Sequence, residues 1–169
     1  MRNFRSATIT EINEIHATLH RATERPNSRN FLEGFPWTST EWFLAELEKG
    51  DFESFLLFWD NSAWKQSSSD RYRRLDTGLK DFIKDKEQDP NQWNGHLREI
   101  LDKRTWPASG HIYLVLIGAN TIGPFMIIDG NHRAVATLWN IWELGSHNSL
   151  PTHAWLGVSP EVSNYRSFG

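Results

Sequence analysis

The chain has 169 residues, a charged fraction of 23%, a formal net charge of −3 and no cysteine, while tryptophan occurs nine times. That length suits one domain able to bury roughly 68–70% of its unfolded surface, and the lack of thiols excludes a disulfide framework, a zinc finger built on cysteines and a cysteine nucleophile. No apolar run approaches the ~20 residues of a membrane-spanning helix, and Met1 to Thr10 lacks the apolar stretch of a secretory signal, so a soluble, cytoplasmic protein with no membrane partner is expected.

Thr8 and Glu11 have capping-box spacing, and Ile12, Ile15 and Leu19 recur at helical intervals, which predicts a helix over about residues 10–23 ended by Pro26. Residues 25–37 hold two prolines and Gly34 without periodicity and read as an ordered loop. Thr38 with Glu41 repeats the capping-box spacing and opens a short predicted helix through Leu44 and Leu47 that stops at Gly50. The aromatic and apolar run from Phe52 to Trp59, with the Asp60-Asn61-Ser62 turn after it, favours a strand. Ser67, Ser68 and Ser69 mark a second loop.

The middle third reads as helical. Leu75, Leu79, Phe82 and Ile83 share one amphipathic face, and Asp89 with Pro90 opens a further helix using Trp93, Leu97, Ile100 and Leu101, broken by Pro107 and Gly110. The pattern then changes to strand: His111 to Ile117, a turn around Asn120 and Gly123, and Phe125 to Ile128. A helix follows from about Asn131 to Leu144 and ends at Gly145, and Pro151 leads into a last short strand from Thr152 to Leu156. No repeat, heptad pattern or low-complexity linker is visible.

The chemistry concentrates in the run from Phe125 to Ala136, where an apolar strand enters a short polar turn, Asp129-Gly130-Asn131-His132-Arg133, and a helix begins at once. The first amides of such a helix have no intrahelical acceptor, and its dipole favours a negative group there. Gly130 leaves room for close approach, and Arg133 offers a fork of donors to the same phosphate or carboxylate. The alternative is purely structural: Asp129 caps the helix, Gly130 serves the turn and Arg133 pairs with a surface carboxylate.

This segment resembles the phosphate-binding box of the ParB/sulfiredoxin-like superfamily, Gly-x-x-Arg-x-x-Ala at a helix start, with Gly130, Arg133 and Ala136 at the three fixed positions. The Asp-Gly-x-His-Arg variant, met by Asp129, Gly130, His132 and Arg133, is similar to the box of several ParB-like nucleotide-using proteins. The resemblance covers about residues 111–158. The predicted elements favour an α+β fold similar to that superfamily's: a small mixed β-sheet from about residues 52–59, 111–117, 125–128 and 152–156, with the phosphate-box helix on one face and the N-terminal and middle helices as an added helical layer. The whole chain, residues 1–169, would form one domain, with 1–105 a helical part holding one strand and 106–169 the ParB/sulfiredoxin-like core.

By that resemblance the box grips the terminal phosphates of a nucleoside triphosphate, ATP or CTP, with Mg2+ riding on the nucleotide. Gly130, Asn131, His132 and Arg133 would form the phosphate cradle, and Asp129 and His132 would be the catalytic candidates, Asp129 as base or holder of the metal–nucleotide complex and His132 as phosphate contact or proton shuttle. A sulfiredoxin reaction is excluded, because its essential cysteine precedes the box histidine and Asn131 stands there. A DNA-reading helix-turn-helix is not expected beyond the box, since 33 residues follow Ala136. The expected function is a nucleotide-binding enzyme that transfers or hydrolyses a phosphoryl group. The alternatives are a binding protein that holds a nucleotide or other anionic small molecule unchanged, and a ParB-like nuclease or nucleic-acid binder.

Nucleic acid is the weaker partner expectation, because residues 105–169 carry two basic and three acidic side chains, and a phosphate-backbone surface needs several cations on one face. Arg71, Arg73 and Arg74 form the densest basic cluster, flanked by Asp70 and Asp76, and read as a solvated face or a phosphate-contacting patch. His16 and His20 share a helical face, but Ala17 stands where a zinc protease needs glutamate, and no metal ligands are assigned. His147 and His153 flank the last strand and could border a pocket. Trp139 and Trp142 thicken the box helix on more than one face, whereas Trp37, Trp64 and Trp106 lie in predicted loops, where a ring can stack on a base.

Overall fold

The computed structural model describes residues 1–8, 10–12, 39–57, 74–88, 113–144 and 153–164. Its strands are Arg2–Ala7 (β1), Glu41–Glu46 (β2), Leu56–Leu57 (β3), Tyr113–Gly118 (β4), Met126–Asp129 (β5) and His153–Val158 (β6). Its helices are Asp51–Ser54 (α1), Leu75–Gln88 (α2) and Asn131–Leu144 (α3), with a 3₁₀ turn at Pro160–Asn164. The strands form one mixed sheet in the order β1-β2-β6-β4-β5-β3. The class is therefore α+β, as the sequence suggested.

Period-2 alternation assigns the strand residues to two cores. Leu114, Leu116, Ile127, Ala154 and Leu156 face the helices, where they meet Leu75 and Leu79 of α2 and Ala134, Val135, Leu138 and Ile141 of α3. Their alternates Val115, Ile117, Met126, Ile128 and Trp155 line the opposite face with Trp42, Ile12 and Val162. With apolar side chains covered on both faces, β4 and β5 read as continuous hydrophobic runs. β4 is central, parallel to β6 from Tyr113↔His153 to Gly118↔Val158 and antiparallel to β5. Among the described residues no helix is long and apolar enough to cross a membrane.

The local signals that come with a closed hydrogen-bond pattern are realised. The Thr8 amide donates to Glu11 Oε2 at 2.7 Å and the Glu11 amide donates to Thr8 Oγ1 at 3.2 Å, the reciprocal pair of a capping box. In the turn between β4 and β5, Asn120 Oδ1 accepts from the amides of Ile122 and Gly123 at 2.8 and 3.1 Å, and Gly123 has a φ of 101°. Helix α2 starts where its amphipathic face begins: the Leu75 amide donates to Phe55 O at 2.7 Å, and Arg74 ties Asp76 to the Glu53 carbonyl. The remainder of the helix predicted from residue 10, the loop at 25–37, the serine loop and the helix at Asp89–Leu101 lie outside the described residues.

Three expectations are corrected. The segment predicted as a helix from Thr38 to Gly50 contains strand β2, paired over six positions with β6 and also with β1; the capping-box spacing there is outweighed by ladder hydrogen bonds on both edges. Phe52 to Trp59, predicted as a strand, begins with α1, and the strand among its described residues is Leu56–Leu57. A helical turn puts Phe52 and Phe55 on the same side, and both are fully buried with ring centroids 5.4 Å apart; an extended chain would send them to opposite faces. Finally, the described residues within 1–105 supply three strands, where one was expected. β1 was not foreseen, because Arg2-Asn3-Phe4-Arg5-Ser6 shows no apolar alternation and the strand lies exposed at the sheet edge.

Candidate functional site

Strand β5 is buried through Met126, Ile127 and Ile128 and delivers the chain to Asp129 at the sheet end, where Gly130 turns it into α3. Gly130 has a φ of 93°, in the region that L side chains rarely adopt. Its carbonyl accepts the Ala134 amide at 2.8 Å, which makes it the residue that caps α3. The amides of Asn131, His132 and Arg133 therefore have no acceptor within the helix. The first turn carries no acidic residue to offset the positive helix end.

The turn is also crowded in a specific way. A Cβ on Gly130 would lie 2.7 Å from Leu114 Cδ2 and 3.0 and 3.1 Å from Arg133 Nε and Nη2. The Arg133 guanidinium thus lies against the bare backbone of Gly130, backed by the β4 core. Arg133 Nη2 donates to Asp129 Oδ2 at 2.9 Å, with the two side chains 21% and 18% exposed. Behind it, Thr137 Oγ1 donates to Arg133 O at 2.8 Å. Asn131 is 9% exposed, and its Oδ1 is covered with no hydrogen-bond partner.

The structure thus brings Asp129, Gly130, Asn131 and Arg133 together at one helix end. The backbone of His132 belongs to the same turn, and its side chain lies outside the described part. Asp129 is engaged by Arg133, the ion-paired arrangement in which a carboxylate orients the guanidinium. His153 begins β6 two strands away at the same end of the sheet, since Asp129 is in register with Val115 and Val115 with Trp155. Leu114 is the residue that sequence reasoning missed. Its only signal is its parity within β4, and its contact with Gly130 spans a turn and a strand.

The other candidates divide differently. Arg74 is paired with Asp76 on an exposed surface, which fits a solvated face; Arg71 and Arg73 lie outside the described residues, as do His16, His20, His147, Trp37, Trp64 and Trp106. Trp139 and Trp142 are half-buried against the helix-side core, and Lys80 Nζ sits 5.5 Å from the Trp142 ring centroid. Trp42 and Trp155 are buried in the opposite core. Among the described residues no group of three or more histidine, aspartate or glutamate side chains is placed to hold a metal ion. Comparison with known proteins gave no matching family model, no matching curated protein and no matching solved structure.

Proposed function

We propose that the protein binds the phosphate groups of a nucleotide at the start of α3 and transfers or hydrolyses a phosphoryl group, in the manner of ParB/sulfiredoxin-like proteins. The observation that carries the phosphate-binding half is the Arg133 guanidinium lying against Gly130 beside three amides with no intrahelical acceptor. Backbone donors, a helix dipole and a cation converge there. The turnover half rests on the resemblance of the box. A nucleotide would bring magnesium bound mainly to its own phosphate oxygens, neutralising charge for transfer, with Asp129 as the carboxylate of the turn.

The Asp129–Arg133 pair favours a second reading, a binding protein that leaves the ligand intact, because it engages the box carboxylate as an orienting group. One experiment separates the two. Purified protein is titrated calorimetrically with ATP and with CTP in the presence of Mg2+, and the mixtures are then resolved by chromatography. Binding with new phosphorylated or hydrolysed product supports the enzyme; binding with nucleotide recovered whole supports the holder. Arg133→Ala should weaken nucleotide binding by about 10- to 100-fold, the range for hydrogen bonds to a charged group. Unchanged affinity would remove Arg133 from the site.

A further inference from the structure

The groups that converge at the start of α3 are mostly of one polarity. The three amides and the guanidinium are donors, matched to phosphate oxygens. Asn131 departs from that pattern, as does the Asp129 carboxylate, which Arg133 engages. Asn131 is more than nine-tenths buried, and its Oδ1, an acceptor, is covered without a donor against it. Such an atom is unfavourable, and native proteins hold few of them. Asn131 is the first residue of α3, and Cα–Cβ bonds of a helix lean toward its N-terminus, so the amide is carried to the same end as the N–H groups that have no intrahelical acceptor.

Phosphate oxygens cannot satisfy Oδ1, because they accept. We propose that the ligand of this site is a phosphate ester bearing a hydroxyl group near the phosphorus, and that Asn131 Oδ1 accepts the hydrogen bond of that hydroxyl while the α3 amides and Arg133 hold the phosphate. This rests on the phosphate reading above and narrows it to hydroxylated ligands. Because Oδ1 is covered, the contact requires the amide to turn about Cβ–Cγ, a torsion with a broad profile. Selectivity follows from the polarity: a ligand without the hydroxyl leaves the acceptor unpaired, and sites built to bond a hydroxyl reject the analogue lacking it. Two sources supply this chemistry, the ribose of a nucleotide and the carbon framework of a small phosphate ester.

Titration calorimetry with two matched pairs tests it: glycerol 1-phosphate against n-propyl phosphate, and ATP against 2′,3′-dideoxy-ATP. The wild-type protein should bind the hydroxylated member of one pair about tenfold more tightly, the factor for one uncharged hydrogen bond. Asn131→Leu, close in size and without the acceptor, should abolish that preference by weakening the hydroxylated ligand. Preference within the ATP pair assigns the hydroxyl to ribose, and preference within the glycerol phosphate pair assigns it to a small ester. Equal affinities within both pairs overturn the inference and leave phosphate binding standing. An equal loss of both members in Asn131→Leu also overturns it, since the amide would then be donating to the phosphate itself. No binding of any of the four overturns this inference together with the phosphate reading. Equal affinities within both wild-type pairs overturn the inference even if the variant does not fold.

Discussion

Replacing Gly130 with alanine probes the junction of β5 and α3 more directly than any other change. At a φ of 93° an L residue is held in a sparsely populated region at a cost of about 1–3 kcal/mol. The new Cβ would also stand 2.7 Å from Leu114 Cδ2, inside any normal carbon–carbon contact. Leu114 is fully buried in the helix-side core, so relieving the overlap shifts packed atoms at about 1–3 kcal/mol. Together these predict a loss of ~2–6 kcal/mol, a large share of the ~5–15 kcal/mol that stabilises an ordinary domain, and a fall in Tm of roughly 4–24 °C for a chain of this length. Denaturant unfolding of Gly130→Ala, Leu114→Ala and the double variant provides the measurement. Removing Cδ2 takes away the overlap, so the double variant should lose at least about 1 kcal/mol less than the sum of the singles. Additive losses would show that Leu114 does not crowd Gly130, and a Gly130→Ala variant as stable as wild type would refute the account of the turn altogether.

Three further outcomes follow from other parts of the structure. Asp129→Asn weakens a largely buried ion pair and should cost ~1–3 kcal/mol of stability, while inorganic phosphate, titrated without divalent cation, should bind at least about threefold more tightly once a nearby unit negative charge is gone; weaker binding would contradict the placement of the phosphate beside Arg133. The hydrogen bond from the Thr8 amide holds the Glu11 carboxyl below its ordinary value; desolvation opposes it, and bonds from the Thr8 hydroxyl and Arg5 add to the lowering. A depressed folded-state value contributes stability that is present above the unfolded value of about 4.3 and lost as pH falls through the folded one, so Glu11→Gln should flatten the acid limb of a stability–pH profile, and an unaltered limb would count against the capping box. Gly157 lies in register with Trp42, and a Cβ there would meet Trp42 Cη2 and Thr40 Cγ2, each at 2.9 Å; Gly157→Ala should cost ~1–3 kcal/mol in thermal unfolding, and a neutral effect would mean the ring moves freely.

Legibility from sequence tracked how locally each feature is decided. Helix α2 was readable because Leu75 and Leu79 carry its buried face at i, i+4 spacing. β4, β5 and α3 were readable because short apolar runs are punctuated by Asn120, Gly123 and Gly130. The capping box of Thr8 and Glu11 was readable because both partners lie three residues apart. The same spacing misled at Thr38 and Glu41, where Glu41-Trp42-Phe43-Leu44-Ala45-Glu46 has no alternation to mark a strand. Its apolar residues are taken up on both faces, with Trp42 in one core and Phe43 against the other. Nothing within the segment says so; the partners are β1 and β6, the latter more than a hundred residues away.

At the candidate site the sequence by itself determined the strand, the glycine turn, the helix and the identity of the groups brought to its start, because neighbouring residues on one turn cannot be far apart. Only the tertiary structure decided their states. Whether Arg133 reaches outward or to Asp129 depends on a rotamer that lays its guanidinium against Gly130, and whether Asn131 is solvated or covered depends on what the fold places over it. Backbone turns follow from residue type, whereas hydrogen-bond pairing and burial follow from atoms that the chain contributes from elsewhere.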